Sequence, residues 1–246
     1  MAIIDDLIAY WPLDEASGDA LDVHGTNTLT ETSGTIASVA GVVGNARDFE
    51  EGDTEYFAIA DNAPLSIGDI TFSVNLWLQL ESEANFPVAV SKGFRSDSDV
   101  NQEWAIIKFA AAAVPGPLAF IVAFGAATAA TFWGANLALS TWVMVSCGHN
   151  AATDEIWIAV NAGTPVTVAH ASGVNDGNRP FTLGAADAAI LNWDGPVDEV
   201  AFWKRDIRAD LTWLYNAGAG RSYVEIANIG HRRLANGGLL TGKLVD

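Results

Sequence analysis

Residues 70–80 carry the clearest structural pattern of the chain and read Ile70-Thr71-Phe72-Ser73-Val74-Asn75-Leu76-Trp77-Leu78-Gln79-Leu80. Every second residue from Ile70 to Leu80 is apolar, and this is the spacing of a β-strand, because successive side chains of a strand point to opposite faces. The residues between them are mostly polar. The pattern predicts a strand that buries one face.

Similar short runs recur along the whole chain, with turn residues between them. They span 7–13, 56–60, 103–109, 118–124, 141–147, 155–160, 166–170, 181–184 and 197–204. Many short strands with little helical pattern indicate antiparallel sheets packed as a sandwich or barrel. Five residues including Gly163 join 155–160 to 166–170, so we expect these two strands to be antiparallel neighbours. One helix is expected at 207–216, capped by Asp206.

The composition fits one large domain with an acidic surface. The chain has 246 residues, 30 acidic and 12 basic, and a formal net charge of −18. Such a surface repels the phosphate backbone, so no nucleic-acid partner is expected. It suits oxygen-ligated cations such as Ca²⁺, although a charged, soluble surface requires no metal.

Three features bear on location and redox chemistry. Residues 1–6 carry two acids where a secretory signal has its basic region, so we expect no signal peptide. Residues 109–153 lack Asp, Glu, Lys and Arg, but prolines and glycines divide them into pieces of strand length, so we expect no membrane span. Cys147 is the only cysteine and is interpreted as a core thiol.

Four blocks of sequence resemble one family of jelly rolls. They are Leu7-Ile8-Ala9-Tyr10-Trp11-Pro12-Leu13-Asp14-Glu15-Ala16-Ser17-Gly18, Asp22-Val23-His24-Gly25-Thr26-Asn27, Gly41-Val42-Val43-Gly44-Asn45-Ala46-Arg47-Asp48-Phe49 and Trp193-Asp194-Gly195-Pro196-Val197-Asp198-Glu199-Val200-Ala201-Phe202-Trp203-Lys204-Arg205. In this order they resemble the laminin-G-like, concanavalin A-like lectin and glucanase family. The resemblance implies an all-β, two-sheet antiparallel β-sandwich with one short C-terminal helix, over a domain of residues 1–223.

The resemblance also implies that the first and last strands are neighbours and that the domain holds calcium. Family members often bind Ca²⁺ between the early loop and the closing block, which here gives Asp22, the Gly25 carbonyl, Asn27 and Asp198. The alternative is that Asp22 and Asn27 cap turns while Asp198 accepts backbone hydrogen bonds.

Two other acidic motifs are weaker candidates. Residues 97–101 have the spacing of the first EF-hand ligands, but Gln102 and Lys108 occupy positions that require glycine and glutamate, so a polar loop is expected. Residues 51–55 match the E-x-D-x-E letters of related glucanases. Gly52 and Thr54 replace the apolar residues of that strand, so we expect a solvated loop and no catalytic residues.

Assembly is predicted from two segments. The uncharged stretch 109–153 suits a subunit interface, and residues 224–246 are expected to form an extended C-terminal arm that meets a partner, or to be a frayed terminus. The family includes phage virion proteins, adhesion modules and lectins. We therefore expect a non-catalytic structural or display protein of a virion, assembled as a homo-oligomer or larger particle. The alternatives are a calcium-dependent glycan-binding module outside cells or at their surface and, last, a glycosidase.

Overall fold

The structure is a computed structural model that describes residues 2–82, 86–94, 99–109, 118–187 and 190–228. Over these residues the chain forms fifteen strands, a short helix α1 (Leu211–Tyr215) between 3-10 turns, and a helical segment at residues 223–228. In chain order the strands are β1 (Leu7–Trp11), β2 (Thr30–Thr32), β3 (Ala37–Ala40), β4 (Asn45–Phe49), β5 (Tyr56–Ile59), β6 (Phe72–Leu78), β7 (Val88–Lys92), β8 (Trp104–Lys108), β9 (Leu118–Phe124), β10 (Ala127–Trp133), β11 (Val143–Asn150), β12 (Glu155–Val160), β13 (Val166–Ala169), β14 (Phe181–Leu183) and β15 (Gly195–Trp203).

The strands form two antiparallel sheets packed face to face. The first sheet has eight strands in the order β13-β12-β11-β6-β15-β4-β3, with β1 also paired to β15. The second has seven strands in the order β10-β9-β8-β7-β14-β5-β2. This confirms the predicted β-sandwich.

Two predicted strand pairs are confirmed. Strands β12 and β13 form an antiparallel hairpin in which Ile156 lies opposite Val168. The first and last strands, β1 and β15, are antiparallel neighbours in which Tyr10 lies opposite Ala201. The predicted helix is also present, although only Leu211–Tyr215 is α-helical. Asp206 does not cap this helix, whose N-cap residue is Asp210; the Asp206 Oδ1 instead accepts the backbone N–H of Arg208 at 2.9 Å, at the start of the preceding 3-10 turn.

The main core lies between the sheets. The alternating apolar residues of β6 face it, and Trp104 of β8 stacks on Phe202 of β15 with ring centroids 6.2 Å apart. Cys147 is buried in this core, as predicted, and burial raises the pKa of its thiol. A raised pKa disfavours the reactive thiolate.

The outer face of the first sheet is buried as well. Leu211 and Leu214 of α1 pack over it, and Trp77 of β6 stacks on Tyr215 with ring centroids 5.6 Å apart. Every residue of β6 is therefore buried. The expectation that this strand buries only one face was wrong, because the residues after β15 fold back and add a third layer.

The outer face of the second sheet carries its own apolar cluster. Ile107 and Ile121 are buried there, and Phe86, Phe109 and Phe132 pack against them. Strand β9 is consequently buried on both faces for most of its length. The uncharged stretch 109–153, expected to form a subunit interface, is thus covered in part by the protein's own side chains.

The alanines and threonines of the stretch 109–153 differ in their exposure. Ala126 is exposed, Ala129 is half-buried and Thr131 is fully buried. Ala111 and Ala113 lie outside the described residues.

The C-terminal segment begins as a packed helix. Residues 223–228 are helical, and Ile226 is buried against the outer face of the first sheet. The ring of Tyr223 lies 5.4 Å from that of Tyr10. The start of the arm that the sequence predicted to be extended is therefore folded onto the domain, and residues 229–246 lie outside the described residues.

Strand β15 contains a bulge that places a carboxyl group in the interior. The register shifts between Asp198 and Ala201, and Glu199 has a φ of 52°. The Glu199 carboxyl shares a hydrogen bond with the hydroxyl of Tyr10. Burial, together with the charge of Glu225, raises the pKa of Glu199 to about 9. Glu199 is thus protonated at neutral pH.

Candidate functional site

A polar cavity lies at one end of the sandwich, between the β5–β6 loop (60–71) and the β13–β14 loop (170–180). The loops run side by side: Gly68 lies close to the Asp176 side chain, and Gly173 lies against Asp69. The cavity has a volume of about 430 Å³. Its lining residues are Asp61, Ala63, Ser66, Ile67, Asp176, Gly177 and Asn178.

A buried lysine fastens both loops to the second sheet. Lys92 ends strand β7, and its Nζ lies 2.7 Å from Asp61 Oδ1, 2.9 Å from Glu103 Oε1 and 2.7 Å from the carbonyl oxygen of Arg179. These contacts use the three donors of the ammonium group. A fully buried charge is tolerated only when paired in this way, so the lysine fixes the spacing of the two loops.

Glu103, which directly precedes β8, is the buried carboxylate that pairs with Lys92. Its Oε1 also accepts the backbone N–H of Gly177 at 3.2 Å. Burial raises the pKa of Glu103, against the opposing charge of Lys92. A Cβ at position 177 would lie 2.0 Å from the Asn101 carbonyl oxygen, so only glycine fits there. The cavity wall is therefore held by the backbone as well as by side chains.

Asp61 presents an ionised carboxylate to the cavity. Burial acts to raise its pKa, but hydrogen bonds from Lys92 and Ser66 outweigh burial and lower the pKa. The Ser66 hydroxyl donates at 2.8 Å. Because Asp176 and Asn178 are exposed on the opposite wall, the cavity combines carboxylate acceptors with a side-chain amide. This set suits the hydroxyl groups of a polyhydroxylated ligand.

The residues predicted for calcium lie in two separate hydrogen-bond networks. Asp22 Oδ1 accepts the N–H groups of Tyr10, His24 and Gly25 at 2.8–3.0 Å. Its Oδ2 accepts both the backbone and side-chain N–H of Asn27 at 2.9 Å. The carboxylate of Asp22 is thus engaged by protein donors, and Asn27 turns a donor rather than an oxygen towards it. This arrangement does not fit a cation ligand set at Asp22.

Asp198 is placed against another loop. Its Oδ2 accepts the N–H groups of Val42 and Val43 at 2.7 and 3.0 Å, and no hydrogen bond to its buried Oδ1 is found over the described residues. Burial is the main cause that raises the pKa of Asp198 to about 7, with a contribution from Asp14. Both halves of the predicted site thus serve the backbone, which matches the turn-capping alternative.

Several acidic residues surround the connection between β4 and β5. Glu51–Asp53 form an exposed 3-10 turn between β4 and β5, as expected, but Glu55, the last acid of that motif, is buried, and burial raises its pKa. Asp48, Glu50 and Glu81 bring carboxylate oxygens within 4.8 Å of one another. Burial and then the charges of neighbouring acids raise the pKa of Asp48 to about 6. Asp97 and Ser98 lie outside the described residues.

The residues that line and anchor the cavity were not predicted from the sequence. Strand β7 was not predicted, and Glu103 was noted only as the start of a strand. One signal was present: Lys92 ends an apolar run, and a charge at such a position requires a buried partner. Its partners Asp61 and Arg179 are distant in the chain, so the pattern alone did not identify them.

Comparisons with known proteins agree with the fold. Domain 4 of AbnA, an extracellular GH43 arabinanase from Geobacillus stearothermophilus determined with arabinotriose, has a TM-score of 0.67 at 14% identity, over 88% of this chain and 98% of that one. The binding domain of Paraclostridial Mosquitocidal Protein 1 gives 0.68 at 12% identity, over 88% of this chain and 53% of that one. The binding domain of Botulinum Neurotoxin DC, in complex with SialylT, gives 0.65 at 13%, over 88% and 52%.

This chain spans about half the length of the two toxin domains. No curated protein sequence matches it. Within the described part of the chain, no helix has the length and apolarity needed to cross a membrane. A family model described as the concanavalin A-like lectin/glucanases superfamily matches residues 51–210, which is more than half of the chain. The chain therefore belongs to the concanavalin A-like lectin/glucanases superfamily.

Proposed function

We propose that this protein is a non-catalytic binding module that takes a carbohydrate in the cavity between the β5–β6 and β13–β14 loops. The observation that carries the proposal is the anchored polar cavity itself: Lys92 fixes Asp61 on one wall and the Arg179 carbonyl behind the other. Preformed acceptors lose little conformational entropy on binding.

The ligands of two structurally similar domains support this proposal. The arabinanase domain was determined with arabinotriose and the neurotoxin domain with SialylT. A sugar hydroxyl both donates and accepts, so it pairs well with the carboxylates of Asp61 and Asp176 and the amide of Asn178. Residues 51–55 precede β5 and do not form a strand, so the E-x-D-x-E letters do not place their carboxylates on one face of a sheet as in the related glucanases, which supports a non-catalytic role.

Binding to a glycan array, followed by calorimetric titration of the best ligand, tests the proposal, with arabinotriose among the probes. We expect Asp176→Asn combined with Asn178→Ala to weaken binding by at least about tenfold, since each lost hydrogen bond to a charged group is worth roughly 1.5–3 kcal/mol. Asp53→Asn, an exposed substitution outside the cavity, is the matched control. Equal binding by both variants, or no binding by the wild type, contradicts the proposal.

Assembly is a second candidate role, favoured by one side of the sandwich. The edge strands β10 and β13 meet there, where the Thr131 hydroxyl donates to the Val166 carbonyl at 3.2 Å. Neither strand contains a charged residue, and Val166 and Val168 are each 39% exposed. Edge strands usually carry charged side chains that prevent them from pairing with strands of other molecules. Two copies of a chain with net charge −18 approach best through such a neutral surface.

We therefore propose that further copies of this chain pair along β10 and β13, as in a display protein of a phage virion, with an extracellular or cell-surface location as the alternative. Light scattering should show an oligomer that Val168→Lys dissociates. A monomeric wild type at micromolar concentration would refute this assembly.

Calcium stays a prediction of the family resemblance. The test is the melting temperature with and without a chelator, because an ion bound only by the folded state adds to stability. A fall on chelation that Asp198→Asn abolishes would support calcium at this carboxylate. An unchanged melting temperature would leave Asp22 and Asp198 as turn-capping residues.

A further inference from the structure

The cavity between the β5–β6 and β13–β14 loops is lined by carboxylates and by no cationic side chain of the described residues. Asp61 lies on one wall and Asp176 on the other, and the remaining lining residues are uncharged. The volume of about 430 Å³ is that of a small-molecule site. A ligand that enters the cavity therefore meets negative charge from two sides.

Asp176 is the carboxylate that lacks a counter-charge. The residue is exposed, and over the described residues its carboxylate has neither a hydrogen bond nor an ion pair. Arg179, three residues further on, is engaged elsewhere, because its guanidinium pairs with Asp99 and Asp187. Asp176 is thus free to bind a cation from solution.

Lys92, behind the cavity wall, does not neutralise Asp176. Its ammonium is shared between Asp61 and Glu103. Glu103 is fully buried, and its Oε2 has no hydrogen-bond partner over the described residues. Because Glu103 Oε1 accepts the backbone N–H of Gly177, a lining residue, this carboxyl lies directly behind the wall. Burial is the main cause of the raised pKa of Glu103, and the charge of Asp176 raises it further, so the two acids are close enough to repel each other.

A second ammonium group reaches the rim of the cavity. Lys204 Nζ lies 3.2 Å from the carbonyl oxygen of Ala63, in an exposed contact. This ammonium bonds to a carbonyl and not to a carboxylate, so Asp176 stays without a counter-charge. An uncompensated carboxylate on the wall of a cavity favours a ligand that carries a positive charge.

Building on the proposed carbohydrate site, we infer that its ligand is an amino sugar, whose ammonium group pairs with Asp176 on the wall opposite Asp61. A hydrogen bond between charged groups is roughly twice as strong as a neutral one, so it selects an amine over a hydroxyl or an acetamide. The hydroxyl groups of the same sugar find a donor and an acceptor in the Asn178 amide. Anionic sugars are disfavoured, because the wall carboxylates and the net charge of −18 both repel them.

Two trisaccharides with the same backbone test the inference: the trimer of glucosamine, and the trimer of N-acetylglucosamine, which lacks the ammonium charge. Calorimetric titration of the full chain is made at about pH 6, where an alkylamine is protonated and Asp61, with its lowered pKa, is ionised. The wild type should bind the glucosamine trimer at least about tenfold more tightly than the N-acetylated trimer, and high salt should reduce this preference.

A variant that removes only the charge gives the second readout. Asp176→Asn keeps the shape of the side chain and one oxygen acceptor, so it should abolish the preference for the glucosamine trimer. Binding of the N-acetylated trimer should stay within about threefold of the wild type, since the neutral hydrogen bonds remain possible. Asp53→Asn removes an exposed carboxylate outside the cavity and, as the matched control, should keep the preference.

Several results would overturn the amino sugar as the ligand. Equal binding of the two trimers, with both weakened by Asp176→Asn combined with Asn178→Ala, would refute it and leave the carbohydrate site standing. An undiminished preference in Asp176→Asn would also refute it, and a chain that binds no glycan would refute the site as well.

Putrescine separates the amine from the sugar, because it supplies ammonium groups without sugar hydroxyls. It should bind at least about tenfold more weakly than the glucosamine trimer, since it lacks the hydroxyl contacts. Binding of putrescine as tight as that of the trimer would identify a site for simple amines and overturn the choice of an amino sugar.

Discussion

At the residue scale, Lys92 shows how a charge is retained inside an apolar sandwich. Its ammonium contacts carboxylates from two different segments, Asp61 and Glu103, and the Glu103 side chain is fully buried. Removing the lysine would leave that carboxylate without its counter-charge. The residue thus serves the fold and the cavity together, since the same contacts set the positions of both loops.

Lys92→Met should lower the free energy of unfolding by about 3–5 kcal/mol, because breaking a buried ion pair leaves an uncompensated charge. Urea denaturation measures the loss. Lys204→Met, at a lysine whose Nζ makes one exposed contact, should change stability by less than about 0.5 kcal/mol. Adding Glu103→Leu to Lys92→Met should restore part of the loss. If Lys92→Met alone is as stable as the wild type, Lys92 does not anchor the loops.

At the element scale, α1 converts a two-layer sandwich into three layers over the first sheet. The helix has only five residues, too short to be stable alone, so packing must hold it in place. Leu211 and Leu214 are each 3% exposed, and Trp203 and Ile207 lie in the same cluster. This layer explains why the residues of β6 that face away from the main core are also buried.

Leu214→Ala should lower the free energy of unfolding by about 2–5 kcal/mol, the range observed when a buried leucine is truncated. Thr212→Ala, on the exposed side of the same helix, is the matched control and should change it by less than about 0.5 kcal/mol. Thermal or urea unfolding of both variants gives the comparison. A loss no larger for Leu214→Ala than for Thr212→Ala would mean that the third layer contributes little.

The elements differ in how far the sequence revealed them. Strong alternation or an apolar run located β6, β9 and β12 closely, and the motif blocks paired the first strand with the last. Strand β10 was missed because its alanines and threonines give no clear alternation, and β2 and β3 are edge strands of only three and four residues. The cavity was missed for another reason: its contacts join segments far apart in the chain, and periodicity reports only local structure.

At the scale of the whole molecule, buried carboxyl groups dominate the response to pH. Burial is the main cause of the raised pKa values of Asp48 (about 6), Asp198 (about 7) and Glu199 (about 9). A carboxyl group with a raised pKa binds its proton more tightly in the folded state than in the unfolded state. Its contribution to the stability of the fold is complete below its pKa in the unfolded state, near 4. This contribution is lost as the pH rises through its pKa in the folded state.

The melting temperature should therefore be higher at pH 5 than at pH 8, and should fall further towards pH 9. Carboxyls with lowered pKa values, such as Asp61 and Asp206, oppose this trend only below about pH 4.5. Differential scanning calorimetry across this range gives the curve. Glu199→Gln, a neutral replacement of the same shape, should flatten its alkaline part. A melting temperature that increases from pH 5 to pH 8 would contradict the raised pKa values of these carboxyl groups.

The pairing of β1 with β15 has a consequence for how the protein is made. Strand β15 lies between β6 and β4 in the first sheet and also pairs with β1, so the centre of that sheet is filled by a strand that is synthesised after its other seven strands. Until residue 203 has left the ribosome, β1, β4 and β6 have an open gap between them. Folding that depends on contacts so distant in sequence is slow. The nascent chain must therefore hold exposed strand edges until β15 has been synthesised, and its risk of aggregation is greatest before that point.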